Sequence, residues 1–232
     1  MMRQLIDNKK KLFFFLIIFL FLTTINLKIN NSYNFISFKI KNINVVGLSS
    51  KKNNIIQQKL RIFKDRNIFT LNKKELKNII EQFNIIGSYE IRKSYPNTIK
   101  LKLNRTNFLA FTYLENKKYI IGENNKLIRL ENTSFNDLDL PLVFTNGNYK
   151  KFIQLKKIID ETKFDLNDIA SFYYFQIGRW DLKTKSGLVI KLPEQDIKEA
   201  INRAHIMIND EKLNKFNLLD MRIKNYIITS NE

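Results

Sequence analysis

The sequence predicts an α+β protein. It has a single N-terminal transmembrane helix, a small domain of β-α-α-β-β order, and then a mainly antiparallel β-domain with two helices. Three observations lead there. Residues 12 to 22, LFFFLIIFLFL, carry no polar side-chain atom. Two stretches of helical period lie between an alternating segment near 38–46 and a hairpin near 88–105. From residue 107 onward, short alternating runs recur between turn residues, with two more helical patterns among them.

Lys9, Lys10 and Lys11 stand directly before the apolar run. The strictly apolar part has the length of a signal-peptide core, but no small-x-small cleavage site follows it. Thr23 to Ile29 extend the helix, with Lys28 snorkelling to the interface, so 12–29 reads as a retained anchor. Such a helix is about 27 Å long, enough to span with little tilt. Arg3 and the three lysines precede it, against Lys28, Lys39 and Lys41 after it, which places residues 1–11 in the cytoplasm. No acidic residue occurs from Asn8 to Lys64, a stretch open to anionic headgroups as well as to plain solvation.

The small domain is expected over 38–106. In FKIKNINVVG, Phe38 and Ile40 alternate, then Ile43 and Val45 resume one residue late, which predicts a bulge or bend. Gly47 ends that strand. Ser49 or Ser50 is placed to cap a helix whose face carries Ile56, Leu60 and Phe63. In NKKELKNIIEQF, Asn72 is the cap, Glu75 sits three residues on, and Leu76, Ile79, Ile80 and Phe83 follow the 3.6 period. Strands near 88–94 and 98–105 flank the turn at Pro96.

The β-domain is expected over 107–230. Short strands are predicted at 119–121 and 126–130, followed by the turn-rich LDLPLVFTNGN. Phe152, Leu155, Ile158 and Ile159 mark one helix. Three strand signals follow in FYYFQIGRWDLKTKSGLVIKL, where Trp180, Leu182 and Thr184 alternate and Ser186-Gly187 turns the chain. A second helix begins after Pro193, with Ile197, Ile201, Ala204 and Ile208 on its face. LLDMRIKNYIIT reads as one last strand. No Pro/Gly/Ser-rich linker separates the domains, so they are expected to abut.

The net charge of +18 raises nucleic-acid binding. Its make-up argues for a solvated basic face, because only nine of the 40 basic residues are Arg and the lysines are spread along the chain. With no cysteine there are no disulfides, thiolate nucleophiles or Cys-ligated metals. His205 is the only histidine, so His-based metal sites and nucleophile–His dyads lack material, and no metal or cofactor is expected. The six glycines form no phosphate loop or nucleophile elbow. Asp137 and Asp139 suit a turn better than acid–base work. Trp180 reads as core. No residue qualifies as catalytic, so the chain is not expected to be an enzyme.

Several of these patterns, in order, resemble the FtsQ/DivIB family of bacterial division proteins. FKIKNINVVG looks like its first strand after the membrane. IFTLNKKEL is similar to its Ile-Phe-x-x-Asp-x-x-x-Leu helix start, with Asn72 one place off the Asp. IRKSYPNTIKLKLNRTNFLAF resembles its Arg-x-x-Pro-x-Thr-Leu hairpin and the Glu-x-x-Pro-x-Ala beyond, with Asn104 or Arg105 near the Glu and Phe108 near the Pro. GRWDLKTKSGLVIKLP looks like its Arg-Arg-Trp-Asp-Leu hairpin, and LDMR like its closing Asp-Leu-Arg strand. Two segments depart from the family: FNIIGSYEI lacks Leu-Pro-Trp-Val, and IIGENNKLI replaces Leu-Ile-Asp-x-x-Gly.

The resemblance implies that 38–106 is a POTRA module and 107–230 the family's β-domain, both periplasmic and at the division septum. It implies a scaffold, anchored in the cell inner membrane, that recruits later septal proteins, chiefly an FtsB/FtsL pair. In the family the last strand receives a partner strand by β-augmentation. Carried over by position, the contact residues are Arg222, Ile223, Tyr226, Ile227 and Ile228, with Arg179 in the neighbouring hairpin pairing an acidic partner residue. An outer-membrane assembly or secretion component is the alternative, since POTRA modules occur there too. Such proteins repeat the module or append a barrel.

Overall fold

The computed structural model describes residues 2–24, 38–130, 138–210, 216–223 and 226–230. It divides into two compact units, Met1–Phe38 and Lys39–Glu232.

The first unit holds helix α1, Met2–Thr24. Every side chain from Leu12 to Leu22 is exposed. Thr23 closes the last turn by donating to the Leu20 carbonyl at 2.8 Å. Among the described residues no helix is long and apolar enough to cross a membrane. The expected span of 12–29 takes its length from residues 25–29, which lie outside the described residues.

The second unit begins with strand β1 (Asn42–Val46), helix α2 (Ser50–Leu60), a 3-10 turn at Arg61–Phe63, helix α3 (Lys73–Ile80), and strands β2 (Ile86–Ser94) and β3 (Thr98–Arg105). The three strands form a sheet in the order β1-β3-β2, with β1 parallel to β3 and β2 antiparallel to it. The late alternation in the first strand has a simple cause. Ile40 is tied elsewhere, its N–H donating to the Arg66 carbonyl at 2.9 Å and its carbonyl accepting from Asp65 N at 3.0 Å. The ladder to β3 starts only at Asn42.

Gly47 then turns the chain at φ +112°, and a Cβ there would lie 1.9 Å from the Leu103 carbonyl oxygen. At the start of α2 the expected serine cap is replaced by a clamp from Asn53 onto the residue before the cap. Asn53 accepts from Leu48 N at 3.2 Å and donates to Leu48 O at 2.9 Å, while Ser49 makes no side-chain cap. Asn72 caps α3 as expected, accepting from Lys74 N at 2.9 Å. Both helices lay Ile56, Leu60, Leu76 and Ile80 on Ile43, Ile99, Leu101 and Leu103. Burial of each such side chain stabilises the fold by roughly 1.5–3 kcal/mol.

The chain continues through β4 (Phe108–Leu114), β5 (Lys117–Gly122), β6 (Leu127–Arg129) and β7 (Leu142–Phe144). Helix α4 (Tyr149–Asp160), β8 (Ile169–Tyr174), β9 (Trp180–Thr184) and β10 (Val189–Lys191) come next. Helix α5 (Ile197–Ile208) and strands β11 (Leu218–Asp220) and β12 (Ile228–Ser230) complete it. The sheet order is β12-β11-β10-β9-β8-β7-β4-β5-β6. Phe152, Leu155 and Ile159 of α4 and Ala200, Ile201 and Ala204 of α5 pack with Val143, Phe172, Trp180, Leu182 and Ile190.

Two strands of this sheet were not among the expected ones. β4 shows no alternation because four successive residues, Leu109 to Thr112, are buried. β7 lies inside the turn-rich segment yet sits in mid-sheet, parallel to both β4 and β8. Phe111 N donates to the Pro141 carbonyl at 2.8 Å, and Thr112 Oγ1 donates to the Val143 carbonyl at 2.8 Å. Of the aspartate pair, Asp139 accepts from Lys185 at 2.5 Å, and Asp137 lies outside the described residues.

The two sheets share a core. Phe111, Ile120 and Ile128 of the larger join the apolar cluster of the smaller. Asn124 Nδ2 donates to both the Asn84 and Ile86 carbonyls at 2.9 Å. Asn84 Nδ2 returns a bond to the Leu127 carbonyl at 2.7 Å.

Candidate partner-binding edge of the larger sheet

The segment expected as one terminal strand, 218–230, is instead two short strands with a reversal between them. β11 runs parallel to β10, and β12 returns antiparallel on β11, pairing Leu218 with Ser230 and Asp220 with Ile228. Asp220 drives the break. Its carboxylate accepts from Arg222 N at 3.2 Å, the short-range pattern by which an aspartate side chain replaces a ladder bond with a turn. The same carboxylate accepts from Arg222 Nε at 2.8 and 3.0 Å and from its Nη2. Tyr226 N then donates to the Ile223 carbonyl at 3.1 Å.

This hairpin separates the expected contact residues by environment. Arg222, Ile223 and Tyr226 lie on the connection and are exposed, Tyr226 most of all at 69%. Ile227 is half-buried, its side chain packing against the core that lies beneath the helices. Ile228 faces out of β12, 51% exposed. β12 is last in the sheet order, and among the described residues only β11 pairs with it.

Arg179, distant in sequence, comes to the same place. It lines an open groove of about 470 Å³ with Arg203 and Arg222, which the carboxylates Glu194, Asp196 and Glu199 share. Its guanidinium lies 4.2 Å from the centre of the Phe175 ring, and its Nε donates to Asp181 Oδ1 at 3.1 Å. Beneath the arginines the strands carry charge in register, with Lys191 opposite Asp181 on one side and Asp220 on the other. Burial pushes the Asp181 carboxyl above its ordinary range, against the pull of Arg179 and Lys191. Hydrogen bonding from Arg222 holds Asp220 below its own range. The row continues toward mid-sheet, away from β12, as Tyr173 and Phe144, whose exposed rings stack at 4.9 Å.

Arg179 and Arg222, named from the resemblance, share this groove with Arg203, which the sequence reading did not single out and whose Nε is buried without a hydrogen-bond partner among the described residues. Its four-residue spacing from Glu199 on α5 was the available signal, and the pair sits at 3.9 Å. Among the described residues no cluster of His, Asp and Glu is able to hold a metal ion. His205 packs edge-on to Phe164 and lies against Asn209. The arrangement suits recognition: an edge strand flanked by exposed apolar side chains, with a network of paired arginines and carboxylates beside it.

Residues 38–104 match the family model for the POTRA domain, FtsQ-type, and residues 110–222 match that for cell division protein FtsQ/DivIB, C-terminal. The chain is 28% identical over 195 residues to cell division protein FtsQ of Rickettsia bellii, covering 82% of this chain and 71% of that protein. It is 26% identical over 192 residues to cell division protein DivIB of Clostridium tetani, covering 76% and 72%. A relative from Rickettsia felis, also a cell division protein FtsQ, is 25% identical over 195 residues, with 82% and 71% covered. With both halves of the second unit matched in family order, the chain belongs to the FtsQ/DivIB family of cell division proteins.

Proposed function

We propose that this protein is a non-enzymatic scaffold of the bacterial divisome that recruits later septal proteins by strand addition at β12. The observation that carries the reading is the edge position of β12, with Tyr226 and Ile228 exposed beside it and Arg179 and Arg222 in the adjoining groove. A partner strand gains backbone bonds along such an edge, and its side chains select by pocket and charge. An FtsB/FtsL-like periplasmic segment with an acidic residue toward the groove fits that chemistry. Asp181 and Asp220 already engage the arginines, so a partner carboxylate joins a charged network rather than a bare cation.

The exposed apolar run Leu12–Leu22 of α1 supports a membrane anchor. On this reading the anchor sits in the inner membrane, residues 1–11 are cytoplasmic, and the POTRA domain over 38–106 and the β-domain over 107–230 are periplasmic. The test is co-purification of the full chain with an FtsB-like periplasmic segment, alongside the location of a fluorescent fusion in dividing cells. Loss of binding in Tyr226→Ala and Arg222→Glu, with midcell rings for the parent, is expected. Undiminished binding by both folded variants, or a uniform cellular signal, overturns the reading.

A further inference from the structure

Away from the edge strand lies the end of the small sheet where the chain enters from residue 38. Lys39 bridges to Asn67, and Lys41 N donates to the Asn97 carbonyl at 2.9 Å, so the 67–70 and 95–97 turns flank the incoming chain. On these turns Phe69 and Tyr95 stack, ring centres 4.8 Å apart and nearly parallel at 18°, yet they are 54% and 55% exposed. Lys93 holds the platform from below, donating to the Phe69 carbonyl at 3.3 Å and the Leu71 carbonyl at 2.8 Å. Ile62, in the 3-10 turn just before the residues bonded to Ile40, is 68% exposed.

Charge at this end is one-sided. Lys39, Lys41, Arg61 and Lys64 are exposed cations there. The carboxylates near them are Asp65 and Glu75, and Glu75 is clasped by Arg66 at 2.7 and 3.1 Å. Amphipathic rings and aliphatic side chains beside lysines are the chemistry of a membrane–water interface. The chain from Thr24 to Phe38 reaches at most about 50 Å, which keeps this end within range of a bilayer that holds α1.

We propose that this end of the POTRA domain is a membrane-contact surface that docks on anionic phospholipid headgroups, with Tyr95, Phe69 and Ile62 entering the headgroup layer and the lysines pairing lipid phosphates. Such docking rests on the reading of α1 as a membrane anchor. It removes the domain's freedom about its tether and fixes the height of the rest of the chain above the membrane.

The chain has no cysteine, so single labels are clean. Full-length protein is reconstituted into phosphatidylcholine vesicles with or without phosphatidylglycerol, carrying lipid-borne quenchers. Fluorophores are placed at Thr70→Cys for the contact surface, Ser186→Cys for a distant turn, and Phe15→Cys for the anchor. Headgroup quenching is expected at position 70, only with phosphatidylglycerol, and lost in high salt, in Lys39→Glu/Lys41→Glu and in Tyr95→Ser. Position 186 stays unquenched. Quenching at 15 by an acyl-chain quencher without quenching at 70 overturns the surface and leaves the anchor standing. No quenching at 15 overturns the anchor reading itself. Equal quenching at 70 in both lipids, or at 186 as at 70, overturns the anionic docking.

Discussion

Arg222 folds back onto Asp220, donating through Nε to both carboxylate oxygens at 2.8 and 3.0 Å. The pair ends β11 and starts the reversal that makes β12 a separate edge.

A pH dependence follows with a definite sign. Asp220 is depressed in the folded state, so its contribution is present above the unfolded value of about 3.9 and is lost as pH falls through the folded value. Asp181 is raised, so its burial penalty applies above its folded value and lifts as acid protonates it. Carboxyl-carbon NMR titration is expected to place Asp181 above the ordinary range and Asp220 below it. Asp220→Asn should lower stability at neutral pH by about 1 kcal/mol, because the Arg222 side chain is partly solvated, and should remove the acid-side loss. An unchanged acid limb in that variant counts against the assignment.

Tyr226 and Ile227 are neighbours with opposite duties. Tyr226→Ala is expected to leave the denaturation midpoint within about 0.5 kcal/mol of the parent, as an exposed side chain should. Ile227→Ala, which removes packing from the core, should lower stability by about 1–2 kcal/mol. Urea unfolding of the two variants separates a surface residue from a structural one before any partner is added.

Two glycines distinguish strain from collision. At Gly187, with φ +100°, an added methyl would meet nothing within 4 Å among the described residues. Gly47 combines φ +112° with the Leu103 carbonyl oxygen at 1.9 Å from the same methyl position. Gly187→Ala should destabilise by about 1 kcal/mol and Gly47→Ala by at least about 3 kcal/mol, the excess being displaced β3 backbone. Equal melting shifts for the two variants would show that the turn after β1 relaxes freely.

Asn124→Ala removes both bonds that tie the β5–β6 turn to the Asn84 and Ile86 carbonyls. Loss of about 1–2 kcal/mol is expected, with faster amide exchange concentrated in β2 and β6 rather than in β8 to β10. Uniform exchange across both sheets would contradict a localised junction.

The small sheet was largely legible in the sequence because its signals are local. Asn72 caps α3, and Leu76 and Ile80 lie on its buried face. The slip between Ile40 and Ile43 was visible too, but its cause was not, since the 65–66 turn that captures Ile40 is more than twenty residues away. In the larger sheet, β4 and β7 hid for opposite reasons, one buried on both faces and the other only three residues long. Arg179 and Arg222 were reached through family resemblance, and their meeting in one groove depends on strand order that no local pattern carries. The Asp220 turn was missed because LLDMRIKNYIIT alternates well enough to pass for a strand until its carboxylate is seen to bond Arg222 N.

The two segments that depart from the family pattern, around Asn84 and around Asn124, turn out to face each other. Each asparagine donates to backbone of the other segment, so the two have the character of a lock cut for its own key. A chimera that takes its POTRA half from a relative and its β-half from this chain would join one half of that lock to a foreign key. Exchange of residues 83–91 and 120–128 together should restore the joint, which makes this pair of segments, rather than the connection near residue 106, the natural unit for domain grafting within the family.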